Sequence, residues 1–261
     1  MDRVNALTRY LEERGLGPLE AATRAAALNR EYGLQLARLR QQLEEAAGEA
    51  DLARVADALH GAYTEHAERP RAAWEAAPAL ACKAGCTPCC HLRVRTTPLE
   101  VFALAAAVRA LPGGGRVRLE RRLRAAARAA ARLSHRQWNL QGPGCPLLEG
   151  GRCGLYAVRP LTCRAHHSLA LRPCQQLHAR GEAALPTDPE RELTGLLFVG
   201  AVSEASAALG RQSDAVELTG ALLAALENPE LAERWQAGER VFKSADDLEA
   251  EATASRASRN R

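Results

Sequence analysis

Residues 82–91 read CKAGCTPCCH, which places four of the chain's eight cysteines within nine positions, two of them adjacent. How this stretch folds decides the architecture. As a helix, it would line its thiols up at i, i+4, i+7 and i+8, an apolar stripe in an ordinary bundle. As a loop, it needs something for the thiols to close on. Pro88 pushes Thr87 out of the helical region and removes a helix donor, and Gly85 is a second interruption. The sequence therefore predicts a loop, with Thr87 as N-cap and Pro88 as the first residue of one helical turn. Cys89 and Cys90 then lie near a helix N-terminus, where unpaired N–H groups favour the thiolate that binds metal or attacks disulfides.

The surroundings read as helices. The chain has 261 residues, 47% hydrophobic and 25% charged, with aromatics at only 4%. Its apolar content is mostly Ala and Leu, good helix formers, so the expected fold class is all-α. Leu28, Tyr32, Leu36, Leu39 and Leu43 recur at helical spacing and predict one long amphipathic helix over 18–48, with Gly33 as a weak point. A second helix is expected over 51–68, ahead of Pro70. It carries His60 and His66, six apart, which do not share a face as i, i+4 ligands do and are read as surface histidines. Thr97, Pro98 and Glu100 form a capping box that starts a helix to about Leu111.

The glycines at 113–115 are expected to break that run. Residues 116–136 then form a basic amphipathic helix, with Arg124, Arg128, Arg132 and Arg136 opposite Leu119, Leu123 and Leu133. A solvated face is the simpler reading; the sharper one is docking of an acidic protein partner. Basic residues exceed acidic ones by only four, 35 against 31, and no aromatics interleave the arginines, so nucleic acid is not expected as a partner.

Cys145, Cys153, Cys163 and Cys174 are too irregularly spaced for a helix face. Gly150-Gly151 between short apolar runs predicts a small hairpin within 147–158 carrying Cys153. Residues 142–185 are otherwise rich in Gly and Pro and have little means of ordering themselves by burial alone; a bound metal would supply the organisation. Helices resume from Thr187 to about Gly210, then over 214–227 and 229–238, with Asn228-Pro229 as N-cap and first residue of the last. Residues 244–261 predict a frayed or disordered tail.

Together, C-x3-C-x2-CC, the Thr-Pro-x-Glu helix start, C-P-x-L and C-x-x-Y-x-x-R-P-x-x-C-R resemble the bacterial YkgJ-like cysteine-cluster family of zinc- or iron-chelating domains. The resemblance covers residues 82–174. It implies metal chelation by Cys82, Cys86, Cys89, Cys90, Cys145, Cys153 and Cys163. Cys174 and His166-His167 fall outside the matching pattern.

Soft thiolate ligands suit zinc, iron or an iron–sulfur cluster, mononuclear or multinuclear, and not calcium or magnesium. Neighbouring side chains point apart, so Cys89 and Cys90 are not expected at two corners of one mononuclear site. The N-terminal MDRVNALTRYLEERG lacks the features of a signal peptide and no run approaches a membrane span, so a cytoplasmic location is expected, where eight cysteines rarely mean disulfides.

Rival readings are weaker. Radical S-adenosylmethionine enzymes share C-x3-C-x2-C but have a parallel βα barrel, whereas the sequence before Cys82 is helical. Flagellin lysine methylases carry a related cluster, yet nothing here marks a methyl-donor site. A Cys/His catalytic pair would face competition from a crowd of thiols, so His91 and His166 are read as donors to the ligands or occasional ligands.

The sequence thus predicts an all-α chain with an N-terminal helical segment (1–81), a cysteine-cluster metal-binding domain (82–185), C-terminal helices packing on it (186–243) and a disordered tail (244–261). The function expected is metal binding. A cluster-containing protein-modifying enzyme and a helical interaction module with a structural metal are the alternatives.

Overall fold

The computed structural model describes residues 2–68, 79–83, 85–180 and 183–259. The helices are α1 (Arg3–Glu13), α2 (Pro18–Glu45), α3 (Gly48–Glu68), α4 (Pro98–Arg109), α5 (Gly113–Ala130), α6 (His135–Gln141), α7 (Leu161–Ala165), α8 (Leu171–Arg180), α9 (Pro189–Ala208), α10 (Leu218–Glu227), α11 (Leu231–Gln236) and α12 (Ala245–Arg259). Two antiparallel two-stranded sheets join them: β1 (Arg95–Thr96) pairs with β4 (Val216–Glu217), and β2 (Leu148–Glu149) with β3 (Arg152–Cys153). The fold class is all-α, as the composition predicts. Pro70 and the rest of 69–78 lie outside the described residues.

α2 buries Ala21, Ala25, Leu28, Tyr32, Gln35, Leu39 and Leu43, a stripe spaced by three or four residues. It packs on α1 and α9, while α3 packs on α4, and α4 and α5 pack on α10. The main core draws Leu39, Leu52 and Tyr63 from the N-terminal helices, Phe102 from α4 and Phe198, Leu222 and Trp235 from the C-terminal ones. Leu147, Leu155 and Leu161 of the cysteine-rich segment enter the same core. The cysteine segment is therefore seated on the helices by apolar burial.

Several local expectations are revised. The glycines at 113–115 form the first turn of α5, with Arg116 N–H closing on the Pro112 carbonyl at 3.0 Å. Each Gly costs about 1 kcal/mol against Ala in a helix interior, which packing of Leu119 and Leu123 outweighs. The basic helix also ends early, because Ser134 and Gln137 form a capping box that starts α6. The buried Arg93 guanidinium takes up the Ala130 and Leu133 carbonyls freed there, both at 2.8 Å. Arg124, Arg128, Arg132 and Arg136 consequently do not share one helix face: Arg132 lies between α5 and α6, and Arg136 within α6.

Asn228 ends α10 by donating its backbone N–H to the Ala224 carbonyl, and α11 starts at Leu231 after Glu230. Residues 245–259, expected to fray, form α12. Ser244 accepts from Asp247 N–H at its start, Glu249 pairs with Arg93, and Ala252 is buried. His60 is not a surface histidine: it is buried between α3 and α4, with Nε2 3.2 Å from Glu100.

Candidate metal centre

The first cysteine segment folds as a turn, not a continuous helix. Lys83 carbonyl accepts Cys86 N–H at 2.9 Å, Gly85 takes φ +85°, and Pro88–His91 form one 3-10 turn. Thr87 occupies the cap position without a side-chain cap bond. α8 packs on this turn, which sets Cys174 beside it, and Ala81 N–H is tied to the Ser168 carbonyl at 2.9 Å.

The second segment meets the first through the backbone. Cys145 N–H donates to the Cys90 carbonyl at 2.7 Å. Gly144, at φ +76°, makes this approach possible, since a Cβ there would meet His91 Nδ1 at 2.9 Å. The predicted hairpin is present: Gly150 and Gly151, both at positive φ, join β2 to β3, Leu148 pairs with Cys153, and Leu148 N–H donates to the Cys145 carbonyl. Arg122 of α5 holds the Pro146 carbonyl at 3.0 Å.

Cys163 is positioned from a distance. The fully buried Glu100 accepts from Thr96 Oγ1 and Thr97 Oγ1 at 2.9 Å, and its other oxygen accepts Leu161 N–H at 2.5 Å. One carboxylate thus caps both α4 and α7, the helix that carries Cys163. Burial alone would raise Glu100, but the hydrogen bonds and the His60 contact outweigh it and hold the carboxyl below its ordinary value. Arg159 stacks on Tyr156 at 3.9 Å, and Arg164 returns to the Arg159 carbonyl at 2.9 Å. The Y-x-x-R-P-x-x-C-R spacing is the scaffold of this corner.

All eight cysteines are free thiols. Cys89 and Cys90 are adjacent thiols with a mutual interaction. It pushes Cys89 up strongly and draws Cys90 down, making Cys90 the favoured thiolate. Burial raises Cys145 to about 11 and also raises Cys86, Cys153, Cys163 and Cys174. Charge on neighbouring thiols adds to each of these except Cys153. A cation would relieve that mutual repulsion, so the donor set fits a soft metal. Among the described residues no three His, Cys, Asp or Glu side chains already stand in coordinating geometry.

The His91 ring packs on His178 at 4.2 Å, and burial followed by the His178 charge lowers His91 below its ordinary value. His167 is a structural link, with Nε2 accepting Asp188 N–H at 2.8 Å. His166 lines a cleft of about 340 Å³ with Arg14, Thr187 and Glu192. Sequence reasoning missed two features. Glu100 was recognisable as a cap, but its bond to Leu161 was not; His60 sits at helical spacing with the buried Ala56 and Tyr63.

Residues 81–181 match the family model CxxCxxCC, described as "Putative zinc- or iron-chelating domain". The match spans the whole of both cysteine segments and supports metal binding by this part of the chain. No curated protein and no solved structure matches the chain.

Proposed function

We propose that the chain is a metal-binding protein that chelates zinc or iron, as single ions, a multinuclear centre or an iron–sulfur cluster, through Cys82, Cys86, Cys89, Cys90, Cys145, Cys153 and Cys163. The observation that carries this reading is the backbone bond from Cys145 to Cys90, which joins two thiol-bearing segments far apart in sequence. The segment 82–185 is then the metal-binding unit, held by helices on either side. Binding an ion would require the thiols to rotate inward and lose their protons, which couples metal uptake to pH. The eight free thiols suit a reducing compartment such as the cytoplasm.

A structural role for the ion is favoured over an enzymatic one by the burial of Leu147, Leu155 and Leu161 in the main core. Metal that fixes the loops between these anchors would stabilise the whole fold. The absorption spectrum and metal content of anaerobically purified protein test the proposal. Brown colour with charge-transfer bands identifies a cluster; a colourless protein containing zinc identifies single ions. Protein free of both metals contradicts it.

A further inference from the structure

We infer that Arg159, Arg164 and Arg191, together with the Tyr63 hydroxyl, form a binding site for a phosphate dianion, free or as the end group of a small ester, where α3, α7 and α9 meet. The site uses none of the thiols, and its test is independent of the metal.

The packing of these elements brings the four residues together. α3 packs on α9 and on the Tyr156–Val158 turn, and α7 packs on α9, where Gly195 leaves room for Ala165. The Tyr63 ring meets Phe198 edge-on at 5.5 Å, and one turn further along α3 the Ala67 carbonyl accepts from Arg191 Nη1 at 3.4 Å. Phe198 and Arg191 are two helical turns apart on α9, so both lie on the face turned to α3. Arg164 donates to the Arg159 and Ala157 carbonyls, which fastens its guanidinium to the turn that α3 touches. Arg159 ends that turn and stacks on the exposed Tyr156 at 3.9 Å.

Three donors in this place have nothing to bond. The hydroxyl of Tyr63, a residue only 2% exposed, and the Nε–H groups of Arg159 and Arg191 are all buried without a hydrogen-bond partner. Among the described residues no carboxylate pairs with Arg159, Arg164 or Arg191, whereas Arg24, Arg93 and Arg109 meet Glu190, Glu249 and Glu49. Glu100 is taken up by His60, Thr96, Thr97 and the Leu161 N–H, and Asp57 is exposed. Buried cations and donors are ordinarily matched. Here the described residues offer no anion to match them.

Electrostatics agrees with this placement. Burial raises the Tyr63 hydroxyl above its ordinary value, which keeps it a donor, and the charges that pull it back are those of Arg191, Arg159 and Arg164. The donor set then selects the ligand class. Guanidinium forks arriving from two helices and a turn, with a hydroxyl beside them, suit an anion whose oxygens spread tetrahedrally. A carboxylate is planar and carries a single charge, whereas a phosphate group brings close to two charges at neutral pH and more acceptor oxygens.

Isothermal titration calorimetry of the full-length chain as purified, with inorganic phosphate and separately with phenyl phosphate at fixed ionic strength, tests this. Saturable binding of at least one of them at one site per chain is expected, and the tighter of the two distinguishes free anion from ester. Tyr63→Phe, which keeps the ring against Phe198, should weaken binding about tenfold, Arg191→Gln by more, and Arg191→Lys by less than Arg191→Gln. Arg121→Gln, which removes an exposed arginine of α5, should bind as wild-type protein does. Far-UV circular dichroism checks that each variant keeps its helices, and Tyr63→Phe keeps the test open should an arginine variant misfold. Absence of saturable binding by both phosphates overturns the site. So does unchanged affinity in Tyr63→Phe or in Arg191→Gln, or an equal loss in Arg121→Gln, which would mean general attraction of anions. Acetate displacing phosphate at equal concentration overturns the phosphate class in favour of a carboxylate.

Discussion

Glu100 and Leu161 are joined by a hydrogen bond of 2.5 Å from the Leu161 N–H to the Glu100 carboxylate, across 61 positions of sequence. Glu100 opens the helix after the first cysteine segment, and Leu161 opens the short helix that carries Cys163. The carboxylate therefore ties the start of α4, after the first cysteine segment, to the start of α7 in the second. His60 supports it from α3.

Replacing Glu100 should cost more than the loss of an ordinary helix cap. Glu100→Ala leaves Thr96, Thr97, His60 and the Leu161 N–H without their shared acceptor in a buried place, and a loss on the order of 3 kcal/mol is expected. Urea denaturation measures it. A loss of less than about 1 kcal/mol, the size of a surface cap, would show that the bond to α7 contributes nothing.

The same residue gives a pH dependence of definite sign. Its carboxyl is held below the ordinary value in the folded protein, so its contribution is complete above the unfolded carboxylate pKa of about 4.3 and is lost as pH falls through the folded value. The stability gap between wild-type protein and Glu100→Gln should therefore be constant near neutrality and shrink in acid. Denaturation at a series of pH values follows it; a gap that widens in acid contradicts the assignment.

Two glycines should respond oppositely to the same change. A Cβ at Gly195 of α9 would collide with the Ala165 Cβ of α7, so Gly195→Ala should lower the melting temperature and disturb Cys163 nearby in the chain. Gly33, in the middle of α2, has open space around it, and Gly33→Ala should stabilise by about 0.5–1 kcal/mol. Thermal unfolding of both variants decides; equal melting temperatures would mean that α7 and α9 are not packed this closely.

Much of this was legible in the sequence because it depends on local rules. The α2 stripe, the capping box at Thr97 and Glu100, and the Gly150-Gly151 hairpin each follow from residues a few positions apart. What was not legible depends on distant partners. α12 is held by Arg93, α5 is cut short by the same guanidinium and by the Ser134 cap, and His60 is buried by Glu100. The cysteine pattern marked out the first seven thiols as a group, whereas the docking of α8 on the Pro88–His91 turn follows from no motif in the sequence.

Metal should order the loops more than the helices. Stripping it with a chelator is expected to speed tryptic cleavage after Arg152, exposed on β3 next to the hairpin turn, while α1–α3 stay intact. Time-resolved proteolysis with mass spectrometry reads this directly. Equal cleavage rates with and without metal would mean that the protein alone orders the segment.

The central claim is that both cysteine segments chelate metal together, and the most direct test is the zinc and iron content per chain of wild-type protein and Cys153→Ser, measured by plasma mass spectrometry after anaerobic purification. The account predicts that wild-type protein carries zinc or iron and that Cys153→Ser carries clearly less, because both segments supply ligands. Wild-type protein without either metal, or Cys153→Ser with its metal undiminished, would contradict it.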